Sequence, residues 1–160
     1  MLKLVGMLIF LSGILLVCRE LTVRRKRRLA ICEELGMLIS HIRLQIGCFL
    51  RPLDELLVGY SSDLLEETGF LRKAKNEGLS AAFRNMKASL PLTKEEKAVI
   101  ERLFSSLGAG YMQDEIKLID AANAEFNTLL ERNRASLTSD IKLHNTLLTA
   151  AAIGLVIFLV

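Results

Sequence analysis

Both ends of this chain are apolar, and a long charged middle separates them. Leu4–Cys18 contains no charged residue, and neither does Thr146–Val160. Extended to Leu2 and to Leu143, each run reaches about 17 or 18 residues, roughly 22–27 Å of helix at 1.5 Å per residue. That is the short end of what crosses a hydrocarbon core of about 30 Å. The expectation is two spans, 1–18 and 143–160, which tether one intervening domain at both ends. The second run starts beside His144 and Asn145, which also suits a buried core helix. Ala150–Val160, however, has no polar residue on any face, and that favours a span.

The flanking charges orient the spans. Only Lys3 precedes the first apolar run, whereas Arg19, Arg24, Arg25, Lys26, Arg27 and Arg28 follow it. A cleaved secretory leader carries its positive charge in front and ends in a small-residue site, which is missing after Leu16. Basic residues beside a span stay cytoplasmic. Residues 19–28 therefore read as a basic juxtamembrane collar, 29–142 as a cytoplasmic domain, and the C-terminus as lying at the far face. The collar suits anionic lipid headgroups, at about 1 kcal/mol per basic residue. A nucleic-acid arm is the competing reading of such a cluster. It is disfavoured because a span directly precedes the cluster and no nucleic-acid motif follows.

Net charge is +3, but residues 29–142 hold fourteen basic and seventeen acidic groups, a net of −3. The positive charge is thus the collar, and the domain is mildly acidic. Its 114 residues suffice for one modest core. Cys18, Cys32 and Cys48 form no C-x-x-C and read as small apolar residues in a reducing compartment. His41 and His144 are isolated from any ligand cluster.

Two prolines, Pro52 and Pro91, and no strand-like alternation point to an all-α chain, a helical bundle between terminal transmembrane helices. Leu35, Leu38, Ile39, Ile42, Ile46 and Phe49 recur at helical spacing as a stripe on a long stalk. Pro52 opens a short helix to Val58, which Gly59 stops. Ser61-Ser62-Asp63 caps a helix running to Glu77, with Gly69 as a flaw within it. Gly78 separates it from a helix over Leu79–Leu90, whose Leu79, Ala82, Phe83 and Met86 share a face. Thr93 and Glu96 have capping-box spacing, opening a helix with Val99, Ile100, Leu103, Phe104 and Leu107 that ends at Gly108 and Gly110. A last long helix starts near Gln113 and carries Ile116, Ile119, Phe126, Leu130, Leu137 and Ile141. Intermolecular coiled coil is the alternative for the long helices, but Asn123, Asn127 and Asn133 interrupt the stripes.

The chain contains no P-loop, no H-E-x-x-H, no G-x-S-x-G and no paired E-x-x-H. Its carboxylates sit beside Lys or Arg; Glu95, Glu96 and Glu101 read as a solvated face with Lys94, Lys97 and Arg102. A membrane enzyme would need a polar cluster near the spans, and His144, Asn145 and Thr149 do not form an acid–base set. The expectation is a non-enzymatic binding or scaffold protein without cofactor, metal or nucleic acid.

The start Met1-Leu2-Lys3-Leu4-Val5-Gly6, one span, an arginine-rich stalk and Pro52-Leu53-Asp54-Glu55-Leu56 together resemble stage III sporulation protein AB of endospore-forming bacteria. Leu103-Phe104-Ser105-Ser106-Leu107-Gly108 and Gln113-Asp114-Glu115-Ile116-Lys117-Leu118 resemble segments that close one helix of that family and open its last. The likeness covers essentially the whole chain. In the family a Gly is common where Ser105 stands, and the stretch from Gly108 to Gln113 is longer.

The resemblance implies a six-helix-type bundle, like the cytoplasmic domain of type II secretion F proteins, in a multi-protein transenvelope complex of the mother-cell membrane facing the forespore. It also implies a partner, a cytoplasmic secretion-type ATPase encoded as a separate chain, and contact with the other channel subunits. The alternative is a small membrane-anchored adaptor or sensor for a soluble regulator. Candidate partner contacts are the charged positions Asp54, Glu55, Glu95 and Glu96, each of which also suits a capping or solvated role. Ala150 and Gly154 form a small-xxx-small pair for helix packing, with Gly6 and Gly13 as a possible facing surface.

Overall fold

The computed structural model describes the backbone of residues 2–49, 52 and 55–159, and the side chains of 12–13, 16–49, 52, 55–143 and 146. Among the described residues the chain is all-α, without strands. Six helices follow one another: α1 (Leu2–Gly47), α2 (Asp63–Glu67), α3 (Phe70–Glu77), α4 (Leu79–Met86), α5 (Lys94–Ser106) and α6 (Met112–Leu159). The chain divides into two compact units, Arg28–Arg132 and Met1–Arg27 with Asn133–Val160. The expected spans at 1–18 and 143–160 fall on α1 and α6, but most of their side chains lie outside the described residues. No helix among the described residues is long and apolar enough to cross a membrane.

In the unit Arg28–Arg132 the stalk stripe is the core face of α1. Leu35, Leu38, Ile39 and Ile42 are fully buried, and Ile46 nearly so. Phe49, expected to continue the stripe, is 59% exposed. α1 ends at Gly47, so Phe49 leaves the helical register two residues later. α6 packs antiparallel to α1 within this unit. A Cβ on Gly36 would lie 3.7 Å from the Phe126 ring, and one on Gly47 would lie 3.6 Å from Ile116. Between them, Arg43 Nε donates to Asp120 Oδ1 at 2.6 Å.

The middle helices are shorter than the sequence suggests, because glycine and proline set the breaks. Gly69 was expected as a flaw in one helix from Asp63 to Glu77. Instead it takes φ +79, and α2 and α3 are separate. A left-handed residue cannot continue a right-handed helix, and glycine adopts that state without a Cβ penalty. The Thr68 hydroxyl fills the gap, donating to Leu65 O at 2.8 Å and accepting from Phe70 N at 3.3 Å. α4 ends at Met86, four residues before the expected Leu90. There the Met86 carbonyl accepts from the Ser89 hydroxyl at 2.9 Å and from the Leu90 amide at 3.1 Å, a turn that carries Leu90 inward to 2% exposure. The helix expected over Pro52–Val58 is, where described, a run of tight i→i+3 turns: Glu55 N to Pro52 O and Val58 N to Glu55 O, both 3.0 Å. It nonetheless buries Leu56 and Leu57.

Three phenylalanines join α3, α4 and α5. The Phe83 ring meets Phe104 edge-on at 5.8 Å and Phe70 edge-on at 6.4 Å, while Phe70 and Phe104 stack at 6.3 Å. Those separations fall in the favourable range for aromatic pairs. In the other unit, Leu21 and Thr22 share the lining of a hollow of about 30 Å³ with Leu137 and Ile141. Arg25 pairs there with Asp140.

Candidate interaction surface

The sequence singled out acids at two places, the turn after Pro52 and the start of α5. Asp54 lies outside the described residues. Glu55 is exposed and opens the turn that buries Leu56. Thr93, in extended conformation, caps α5. Its hydroxyl accepts from Glu96 N at 3.1 Å, and the Glu96 carboxylate accepts from Thr93 N at 2.6 Å. Both halves of the capping box are present, as its spacing suggested.

The same box removes Glu96 from the surface. The reach back toward Thr93 turns the carboxylate inward to 1% exposure, where Arg28 Nη2 approaches to 3.4 Å. The expectation that Glu96 sits on a solvated face as a partner contact is therefore corrected: it is a buried structural anion tying α1 to α5. Cys32 sits beside it. Burial, then the nearby Glu96 charge, push its thiol up to about 12, against the smaller opposing pull of Arg28. Glu95, one residue earlier, is exposed in the first turn of α5, where the helix dipole favours an acid. The neighbouring charges are surface pairs, Lys87 with Glu101 at 2.5 Å and Arg102 with Glu125 at 3.3 Å, a class worth about 0–1 kcal/mol each.

Of the collar residues, Arg19, Lys26 and Arg27 are exposed. Arg24 pairs with Glu20 one turn away at 3.0 Å, Arg25 pairs with Asp140, and Arg28 pairs with Glu96. At least three of the six cations are thus held by acids of the chain itself. Of the small residues, a Cβ on Gly13 would meet nothing within 4 Å. Gly6, Ala150 and Gly154 lie outside the described side chains.

Two polar arrangements escaped the sequence. Arg43 and Asp120 lie 77 residues apart and meet through two hydrogen bonds. The hydrogen bond from Arg43 holds the exposed Asp120 carboxyl below the usual carboxylate range. On α1, the His41 ring lies 5.0 Å from that of Tyr60, whose hydroxyl donates to Glu34 O at 3.0 Å. Burial, then the Glu34 charge, raise the Tyr60 phenol to about 12. The Gln45 amide nitrogen sits 3.2 Å from His41 Nε2, and its buried Oε1 has no partner. Only the i,i+4 spacing of His41 and Gln45 could have flagged this cluster.

Among the described residues no three His, Cys, Asp or Glu side chains gather as a metal site. Exposed carboxylates and guanidinium groups stand along the helices of the described surface. The family model of stage III sporulation protein AB matches residues 3–160. The chain belongs to the stage III sporulation protein AB family. Membership gives it a role in stage III of sporulation. No curated protein and no solved structure matches it significantly. The family match spans the six helices and both apolar runs.

Proposed function

We propose that this chain is a membrane platform subunit of a transenvelope sporulation complex, in which the helical bundle docks a cytoplasmic secretion-type ATPase. The observation that carries the reading is the family match from residue 3 to residue 160, which covers both terminal apolar runs and the bundle between them. The runs tether the bundle to the mother-cell membrane facing the forespore, and the exposed part of the collar meets anionic lipid. Other channel subunits pack against the spans. The chain itself is not an enzyme. ATP turnover belongs to the partner, in keeping with the missing P-loop. Exposed Glu55 and Glu95, on a domain of net negative charge, are the contacts for a basic ATPase face. Glu96 is not among them, because it is buried.

The deciding measurement is retention of the ATPase encoded beside this chain by the full chain in neutral detergent. Retention falls as salt rises, because a rim of opposite charges is screened. Glu55→Lys with Glu95→Lys lowers it more than the control Glu125→Lys. If both proteins are folded and nothing is retained at low salt, the bundle is instead an adaptor for a soluble regulator.

A further inference from the structure

The charge of the bundle is unevenly distributed. Residues 70–87, which make α3, α4 and the turn after them, carry Arg72, Lys73, Lys75, Arg84 and Lys87 against one acid, Glu77. The rest of 29–142 carries nine basic and sixteen acidic residues. Lys87 is held by Glu101, and Glu77 accepts from Asn85 at 3.0 Å. The side chains of Lys75 and Arg84 are exposed and make no hydrogen bond or ion pair among the described residues.

Those two cations stand beside two apolar hollows. One, of about 390 Å³, is walled by Leu56, Leu79, Phe104 and Leu107, with Arg84 and the Asn85-bound Glu77 in its lining. The other, of about 490 Å³, is walled by Leu57, Val58, Ala74 and Leu79, with Lys75 in its lining. Gly78 and Leu79 belong to both, so the hollows are neighbours across one ridge. The ridge is the one-residue joint between α3 and α4, where Gly78 takes φ +84 and ψ 159, a conformation essentially reserved for glycine. Val58, 53% exposed, leaves apolar surface open at the second hollow.

We infer that this paired groove docks an acidic amphipathic helix of a partner protein. Two neighbouring apolar hollows suit two successive anchors on one helix face, the usual mode of helix-in-groove recognition. Lys75 and Arg84 select for Asp and Glu flanking those anchors, because a basic segment would place like charges together. Lys75 and Arg84 are opposite in sign to the acidic contacts Glu55 and Glu95; Glu55 precedes Leu56 and Leu57 of the groove walls, whereas Glu95 lines neither hollow.

The test uses the full chain in neutral detergent and two fluorescent three-heptad peptides, one of leucine and glutamate, the other with lysine replacing glutamate. The acidic peptide binds saturably and the basic one does not. Lys75→Glu with Arg84→Glu weakens binding at least about tenfold. The same reversal at Arg72 and Lys73, also exposed but outside the hollows, changes it by no more than about twofold. If the groove reversal disturbs the circular dichroism spectrum, Lys75→Gln with Arg84→Gln replaces it, with a loss of several-fold expected. Absence of acidic-peptide binding, or equal loss from both reversed pairs, overturns the proposal. So does a groove reversal that changes oligomeric state, which would make a second copy the occupant. Groove-dependent binding to phosphatidylglycerol vesicles without peptide binding would likewise assign the site to lipid.

Discussion

Glu95 and Glu96 are adjacent and equally charged, yet one faces water and the other is sealed under Arg28. Spacing to Thr93 made the capping box legible. It did not reveal the burial, because Arg28 lies 68 residues away and reads locally as part of a run of cations. The cysteines divide in the same way. Cys48 is exposed and Cys32 is buried beside Glu96, although both sit in helical pattern. A disulfide-exchange reagent at pH 8 should therefore modify Cys48 quickly in the native chain and reach Cys32 only on unfolding. Rapid labelling of Cys32, mapped by peptide mass, would contradict its place in the core. Both Cys32 and Tyr60 favour their neutral forms when folded, with thiol and phenol raised from 9.0 and 10.0 to about 12. Their contribution to stability is complete below those ordinary values and is lost as pH climbs toward 12. Thermal midpoints should fall across that alkaline window, and fall less in Cys32→Ala; an equal decline in the variant would remove Cys32 as a source.

Among the elements, the type of each helix was legible and its ends were less so. Thr93 bounds the start of α5 by capping chemistry that works within a few residues, so sequence sufficed there; at its other end the extended Leu107 is the cap and Gly108 follows it at φ +83. Gly69 divides α2 from α3 because the surrounding turn is held by Thr68 and by packing of Leu65 and Phe70, which no local pattern announces. Gly36 poses the reverse question, a glycine within a long helix that needs no special backbone. A Cβ there would meet the Phe126 ring at 3.7 Å, ordinary contact distance. Gly36→Ala should thus stabilise the fold by about 0.5–1 kcal/mol through helix propensity alone. Chemical denaturation would expose a hidden clash if the midpoint moved down.

For the whole molecule, helical periodicity gave the all-α class and most of the core, and the resemblance gave the family. Pairings such as Arg43 with Asp120 needed the folded chain, since ion pairs at long separation leave no periodic trace. The α3–α5 aromatic cluster is the largest consequence of the packing: Phe104→Ala should cost about 3–5 kcal/mol, read as a lowered unfolding midpoint of the full chain. A loss under about 1 kcal/mol would mean that neighbouring side chains refill the space. The antiparallel pairing of α1 and α6 within Arg28–Arg132 carries a mechanical meaning as well. The polypeptide enters and leaves that unit side by side, so tension drawn through its two ends opens the pair like a zipper, one contact at a time, instead of shearing all contacts together. Arg28 and Glu96 lie where such a tear begins. A load applied at those two ends would be felt first by the Arg28–Glu96 pair, at the start of α5.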